Sequence, residues 1–344
     1  MNCSKCGNEN PDEARFCNSC GAALTSAPAE RPGVDVKTSG MAIAAMVLGI
    51  LSFFTLGITA IPALIFGIIS LVVIEKSGGR ITGRGFAITG IVSPVLGVLP
   101  LMAILFPALS RVKEQAKRTV CLNNLKQLSL AWIMYADDND DLLVNGAISY
   151  SNMSMSWGDH TNETAWVDSV RTEWQNLEEQ IEAIRAGALW PYTKNLIIYR
   201  CPSGREGEAL TYAIMMSMNA INHAPTQGVS GAYIKKRSEI PNPANRLVFI
   251  DEGWMTPEAF AVYYDEEQWW DAPPVRHGDG TNISFADGHS EYWKWKGTDT
   301  IKRAKLVEQS HRGDWMPETE LGYKDLYRMQ KGCWGRLGYT PTYP

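Results

Sequence analysis

The sequence predicts a multi-domain membrane protein with a small metal-binding head, three transmembrane helices and a C-terminal α+β domain whose long helix packs on an antiparallel sheet. Three observations carry this. Four of the seven cysteines form two Cys-x2-Cys pairs within the first twenty residues. Residues 41–110 hold only three of the 32 Lys/Arg and one of the 37 Asp/Glu. Beyond them a helical apolar period gives way to strand-like alternation around turn residues. The averages conceal this, since 45% hydrophobic, 20% charged and a net charge of −5 describe an ordinary acidic soluble protein. That charge, with no long basic run, also argues against nucleic acid as a partner.

Cys3-x2-Cys6 and Cys17-x2-Cys20 stand ten residues apart, and each pair is followed by a glycine, Gly7 or Gly21. Glycine lets the chain turn so that backbone N–H groups face the sulfurs and four thiolates reach one tetrahedral ion. Two disulfides are the competing reading. A segment this short has too little apolar material for a core and takes its folding energy from the metal, which favours Zn2+. Four cysteine ligands close the site to water, so the zinc is structural. Reduced thiols place the head in the cytoplasm. Residues 1–24 resemble the zinc ribbons found at the N-terminus of many bacterial membrane proteins.

Residues 25–40, rich in Pro, Ala, Ser and Gly, read as a flexible linker. Residues 41–107 read as the transmembrane region. Met41 to Ile74 carries no charge, and as one helix it would measure about 51 Å against a hydrocarbon core of about 30 Å. Two short spans, about 41–57 and 60–75, fit better, and a third covers 85–106. The bilayer is then the expected partner, with the protein multi-pass in the inner (cytoplasmic) membrane. Lys76, Arg80 and Arg84 favour a cytoplasmic loop, whereas Arg111, Lys113, Lys117 and Arg118 oppose an outside C-terminal domain, so charge counting leaves two and three spans open. The stretch 41–93, with Gly40-Met-Ala-Ile43 echoed by Gly85-Phe-Ala-Ile88, resembles a small bacterial membrane domain of unknown function.

Leu109, Val112, Ala116, Val120, Leu125, Leu128 and Trp132 recur at helical spacing, which predicts that the third span continues as an amphipathic helix to the acidic turn Asp137–Asp141. The phrases Phe106-Pro-Ala-Leu-Ser110, Cys121-Leu-Asn-Asn-Leu-Lys-Gln127, Tyr135-Ala-Asp-Asp-Asn-Asp140 and Tyr199-Arg-Cys-Pro-Ser203, with nine residues between His277 and Asp287-Gly288, resemble bacterial prepilin-like proteins. These belong to the type IV pilin and type II secretion pseudopilin class and carry a His-x9-Asp-Gly motif. The resemblance covers about 85–300. It implies a pilin-like α+β domain over 108–304, an extracytoplasmic location for it, hence three spans and a cytoplasmic N-terminus, and a Cys121–Cys201 disulfide. It also implies pilin-like or secretion-system subunits as partners through the membrane helix.

Members of that class are cleaved after a glycine that precedes phenylalanine, and a glutamate at the fifth mature position helps subunits pair. Here Gly85-Phe86 is a vestigial cleavage site, because the fifth position is Gly90. The expected function is therefore a membrane-anchored pilin-like or pseudopilin-like structural protein of secretion or cell-surface assembly, not an enzyme. An envelope sensor coupling an outside ligand to the zinc ribbon is the alternative, and an envelope hydrolase using His277 is the third reading.

Thr281–Ala286 and His289–Trp295 alternate about Asp287-Gly288, which predicts a β-hairpin with both turn residues at positive φ. A sharper reading assembles Asp251, Glu252, His277, Asp279 and Asp287 into a Ca2+ site or a structural polar cluster. Trp269, Trp270, Trp293, Trp295, Trp315 and Trp334 read as core beneath loops or as a ligand-stacking platform. Residues 305–344 read as an aromatic C-terminal extension with a helix over Glu318–Lys331 stopped by Gly332.

Overall fold

The computed structural model describes residues 1–24, 36–52, 55, 58–148, 151–168, 176–252, 259–307 and 312–344. Its two units are Met1–Pro107 and Ala108–Pro344. Most of the expected linker, residues 25–35, lies outside the described residues, but its end is ordered as a short strand, β1 (Lys37–Thr38).

In the first unit α1 (Gly40–Leu51) starts at Ser39, whose Oγ accepts the Ala42 N–H at 3.3 Å. It is followed by α2 (Ala60–Lys76), β2 (Ile81–Thr82) and α3 (Arg84–Asp138), and α3 continues into the second unit. β1 and β2 pair in parallel, Lys37 opposite Ile81 and Thr38 opposite Thr82, so both Gly-Xaa-Ala-Ile phrases leave one ladder. Small residues let the helix backbones approach closely. Ala42, Ala45, Ala63 and Ala87 are fully buried, and a Cβ on Gly90 would stand 2.6 Å from the Ala45 carbonyl carbon.

These helices correct the predicted spans. α1 has 12 residues and α2 has 17, about 18 and 26 Å at 1.5 Å per residue, against about 30 Å of hydrocarbon. In α3 the apolar stretch 85–106 includes 97–101 and 104, whose side chains lie outside the described set. Among the described residues no helix is long and apolar enough to cross a membrane. The three-span architecture and the multi-pass inner-membrane placement with an extracytoplasmic C-terminal domain therefore lose their basis. Lack of charge is common to membrane spans and to helices packed through Ala and Gly, and the break after Leu51 shortens what composition presents as continuous.

The second unit is built on a four-stranded antiparallel sheet. Ahead of it come a hairpin, β3 (Ser154–Met155) and β4 (Gly158–Asp159), and the helices α4 (Leu177–Ala186) and α5 (Trp190–Thr193). The sheet order is β5-β6-β8-β9, with β5 (Tyr212–Ile214), β6 (Leu247–Asp251), β8 (Gly280–Phe285) and β9 (Ser290–Lys294). β7 (Trp269–Asp271) pairs separately with β10 (Arg312–Trp315), which follows α6 (Thr298–Val307), and α7 (Glu320–Trp334) closes the chain. Burial along β5, β6 and β8 is continuous, as it must be where a sheet is covered on both faces.

Only the second half of the α3 periodicity is used for packing. Cys121, Leu125, Leu128 and Trp132 are fully buried, whereas Leu109 and Val112 are 65% and 60% exposed. Polar contacts set the docking: Ser129 Oγ lies 2.7 Å from Ser284 Oγ on β8, and Ser290 Oγ on β9 donates to the Leu122 carbonyl at 2.9 Å.

The β8–β9 turn departs from expectation. The Phe285 N–H donates to the His289 carbonyl, the Gly288 N–H donates to the Phe285 carbonyl, and Gly288 alone of the two turn residues has positive φ, +91°. This is a three-residue loop with a left-handed glycine, not a two-residue primed turn. Within 305–344, Trp315, Leu326, Met329, Cys333 and Trp334 belong to the common core. α7 ends at Gly335 (φ +76°), past Gly332, which lies inside the helix against Leu247.

Candidate functional site

Two groups of metal-ligating side chains stand out among the described residues. In the first, each Cys-x2-Cys pair forms a tight turn in which the Gly7 N–H donates to the Cys3 carbonyl and the Gly21 N–H to the Cys17 carbonyl. Sγ atoms of Cys3 and Cys20 lie 3.6 Å apart and those of Cys6 and Cys17 3.5 Å apart, close to the edges of a tetrahedral Zn–S4 site. Backbone N–H groups of Ser19 and Cys20 hold the Cys17 thiol down at about 6 and those of Lys5 and Cys6 lower Cys3, whereas at Cys6 the Asn8 N–H is outweighed by the neighbouring Cys20 and Cys17 sulfurs, which push it up to about 12. The arrangement fits structural zinc.

The second group is Cys121, Cys201, Asp251 and His277, all buried, with their ligand atoms within 4.8 Å of one another. Cys121 begins the buried half of α3, and Cys201 follows a short 3-10 helix, Leu196–Tyr199. Asp251 ends β6 opposite Tyr212 of β5, and His277 lies in the turn before β8, where its N–H donates to the Gly280 carbonyl. His277 Nε2 is 2.9 Å from Asp251 Oδ2 and 3.2 Å from Cys201 Sγ, while Cys121 Sγ donates to the same Asp251 oxygen at 3.2 Å. Burial alone would lower the His277 pKa, but the Asp251 carboxylate and the Cys201 sulfur outweigh it and raise it to about 9. Contact with Cys121 lowers the Cys201 thiol, whereas burial pushes Cys121 well up.

Cys121 and Cys201 come together in the core, both as free thiols. The expected Ca2+ set does not assemble. Asp279 pairs with Lys305, and Asp287, at the opposite end of β8, pairs with His289. Asp251 and His277 instead join two sulfurs, which suit a hard cation poorly, so calcium is unsupported. Glu252 follows Asp251 at the end of β6 and is not among the four ligands. Gly85 and Phe86 are exposed in the first turn of α3. Trp269, Trp293, Trp295, Trp315 and Trp334 are buried, so they furnish core rather than a platform, with Trp270 half-buried.

Two polar junctions carried no signal in the sequence. Arg246, 1% exposed, donates to the carbonyls of Gly231, Ala232 and Cys333, and burial lowers its pKa to about 10. His160 bridges Glu163 and the Ala220 carbonyl. Each joins segments far apart in the chain, which spacing cannot reveal.

Two family models match the chain: a zinc-ribbon domain over residues 2–24 and a domain of unknown function (DUF4190) over residues 41–113. No curated protein and no solved structure matches.

Proposed function

We propose that the chain is a pilin-like structural protein rather than an enzyme, in which the zinc ribbon docks other subunits and a single helix carries the α+β domain. The observation that carries this reading is α3, one 55-residue helix that packs on small residues in the first unit and on the sheet in the second. The resemblance to prepilin-like proteins supports it, since Cys121, Leu125, Cys201 and His277 of the matching phrases lie at buried packing positions, while Phe106 and Leu109 are exposed.

Gly90 sharpens the reading. At the position where the resemblance expects the subunit-pairing glutamate, any side chain would collide with Ala45. The head of α3 is occupied by its own chain, which favours a permanently joined scaffold over a cleaved fibre subunit. Leu109 and Val112 remain exposed on α3 as a surface for a partner helix. The test is the mass and N-terminal sequence of the protein isolated from cells that produce it, with electron microscopy of the same material. A full-length chain in discrete particles is the expected result. A chain beginning at Phe86 and assembled in filaments would overturn the proposal.

A further inference from the structure

We infer that Cys121, Cys201, Asp251 and His277 bind one Zn2+-type ion at a closed, tetrahedral, mixed-ligand site that fastens α3 to the sheet. The argument begins with convergence. Zn–ligand bonds of about 2.0–2.3 Å imply ligand-to-ligand edges of about 3.3–3.8 Å. Three of the six edges here measure 2.9, 3.2 and 3.2 Å, and none exceeds 4.8 Å. Four ligand atoms from four separate segments therefore surround one point.

The pattern differs from a nucleophilic triad. In a Cys-His-Asp relay one ring nitrogen faces the thiol and the other faces the carboxylate. Here the same nitrogen, Nε2, faces both Cys201 and Asp251, while Nδ1 has no hydrogen-bond partner among the described residues. The side chains of Asp251 and His277 are both 0% exposed, so no substrate reaches them from solvent. Asp251 Oδ1 is likewise buried and unpartnered among the described residues. A fully buried carboxylate beside two thiols needs a compensating positive charge, which without a bound ion falls to the His277 imidazolium alone. The neighbouring Arg276 does not supply it, since its guanidinium points to the Ser203 carbonyl and Glu208.

The surroundings suit thiolate ligands. Tyr212 Oη donates to Cys121 Sγ at 3.3 Å, and the Ser203 N–H donates to Cys201 Sγ at 3.3 Å. Such outer hydrogen bonds orient and stabilise metal-bound sulfur. Two soft sulfurs, one imidazole and one carboxylate select a borderline divalent ion of tetrahedral preference, for which Zn2+ is the first candidate. With four protein ligands and no access for water, the ion is structural.

The test uses the full chain carrying Cys3→Ser and Cys6→Ser, which removes the ribbon site and leaves the buried cluster native. Purified from zinc-supplemented cells under reducing conditions, it should retain one zinc per chain by elemental mass spectrometry, against two for the unmodified protein. Replacing that zinc with Co2+ should give the intense visible absorption of a tetrahedral site. Adding Asp251→Asn should lower Co2+ affinity at least tenfold while the near-ultraviolet circular dichroism of the buried tryptophans persists. A folded ribbon variant that holds no zinc and takes up no Co2+ would overturn the inference. So would a native mass lower by two hydrogens with Cys121 and Cys201 joined in one peptide.

Discussion

The two cysteine clusters use similar ligands to opposite structural ends. The ribbon gathers its four sulfurs from residues 3–20, and within 1–24 its buried apolar side chains are two of the ligands themselves, Cys3 and Cys17, while Phe16 is 63% exposed. The buried cluster draws on residues up to 156 positions apart and sits in a core that contains Trp132, Trp166, Phe249 and Trp334. In the first case the ion makes the fold, because no hydrophobic term replaces it. In the second the fold makes the site, and the ion tightens a joint already held by apolar burial. Similar donor chemistry thus predicts different consequences of losing a ligand.

The largest expected effect follows directly. Cys3→Ser in the full chain should abolish amide protection throughout residues 2–24, with protection in β6 and β8 unchanged by hydrogen exchange. If the ribbon keeps its protection without metal, its fold has another source and the contrast fails.

The contrast also explains what is legible in the sequence. The ribbon is legible because its ligands are local, and a spacing of two residues between cysteines already encodes a turn. The second half of α3 and the β8–β9 hairpin are legible because Leu125, Leu128 and Trp132, and the alternation around Asp287-Gly288, are local periodicities. The buried cluster is only half visible: Cys121, Cys201, Asp251 and His277 each stand out in the sequence, but in two separate sets. What joins them is the antiparallel placement of β5, β6 and β8, and sheet order is a long-range property that no window of sequence contains. The membrane spans fail for a related reason. Composition reports the absence of charge, whereas the break between Leu51 and Ala60 and the fit of Gly90 against Ala45 depend on how three helices meet.

That fit gives the next test. Gly90→Glu restores the carboxylate that the prepilin resemblance expects. It also drives a side chain into Ala45, whose atoms would lie only 2.6 to 2.8 Å from a Cβ at this position. Overpacking of this kind costs about 1–3 kcal/mol, so the first unit should lose that stability in chemical denaturation while the second keeps its midpoint. An unchanged first unit would show that α1 and α3 can separate cheaply, and would reopen the head of α3 to other helices.

The smallest effect is expected where one polar contact is spread over a large core. Asp299, at the start of α6, accepts the N–H groups of Glu318 and Thr319 at 2.6 and 3.1 Å and the Thr319 hydroxyl at 2.6 Å, fixing the residue that caps α7. Partial burial pushes its carboxyl upward, but the Thr319 hydroxyl and these N–H groups outweigh that and hold it below the ordinary 3.8. A depressed folded-state pKa contributes stability that is present above the unfolded value and lost as the pH falls through the folded one. Asp299→Ala should therefore cost about 1–2 kcal/mol near neutral pH, the range of a lost helix cap. The difference from the unmodified chain should shrink once the pH drops below 3.8. Urea midpoints of both proteins at neutral and acid pH measure this. A difference that stays constant across the range would mean that Asp299 acts by filling space against Gly322 rather than by its charge.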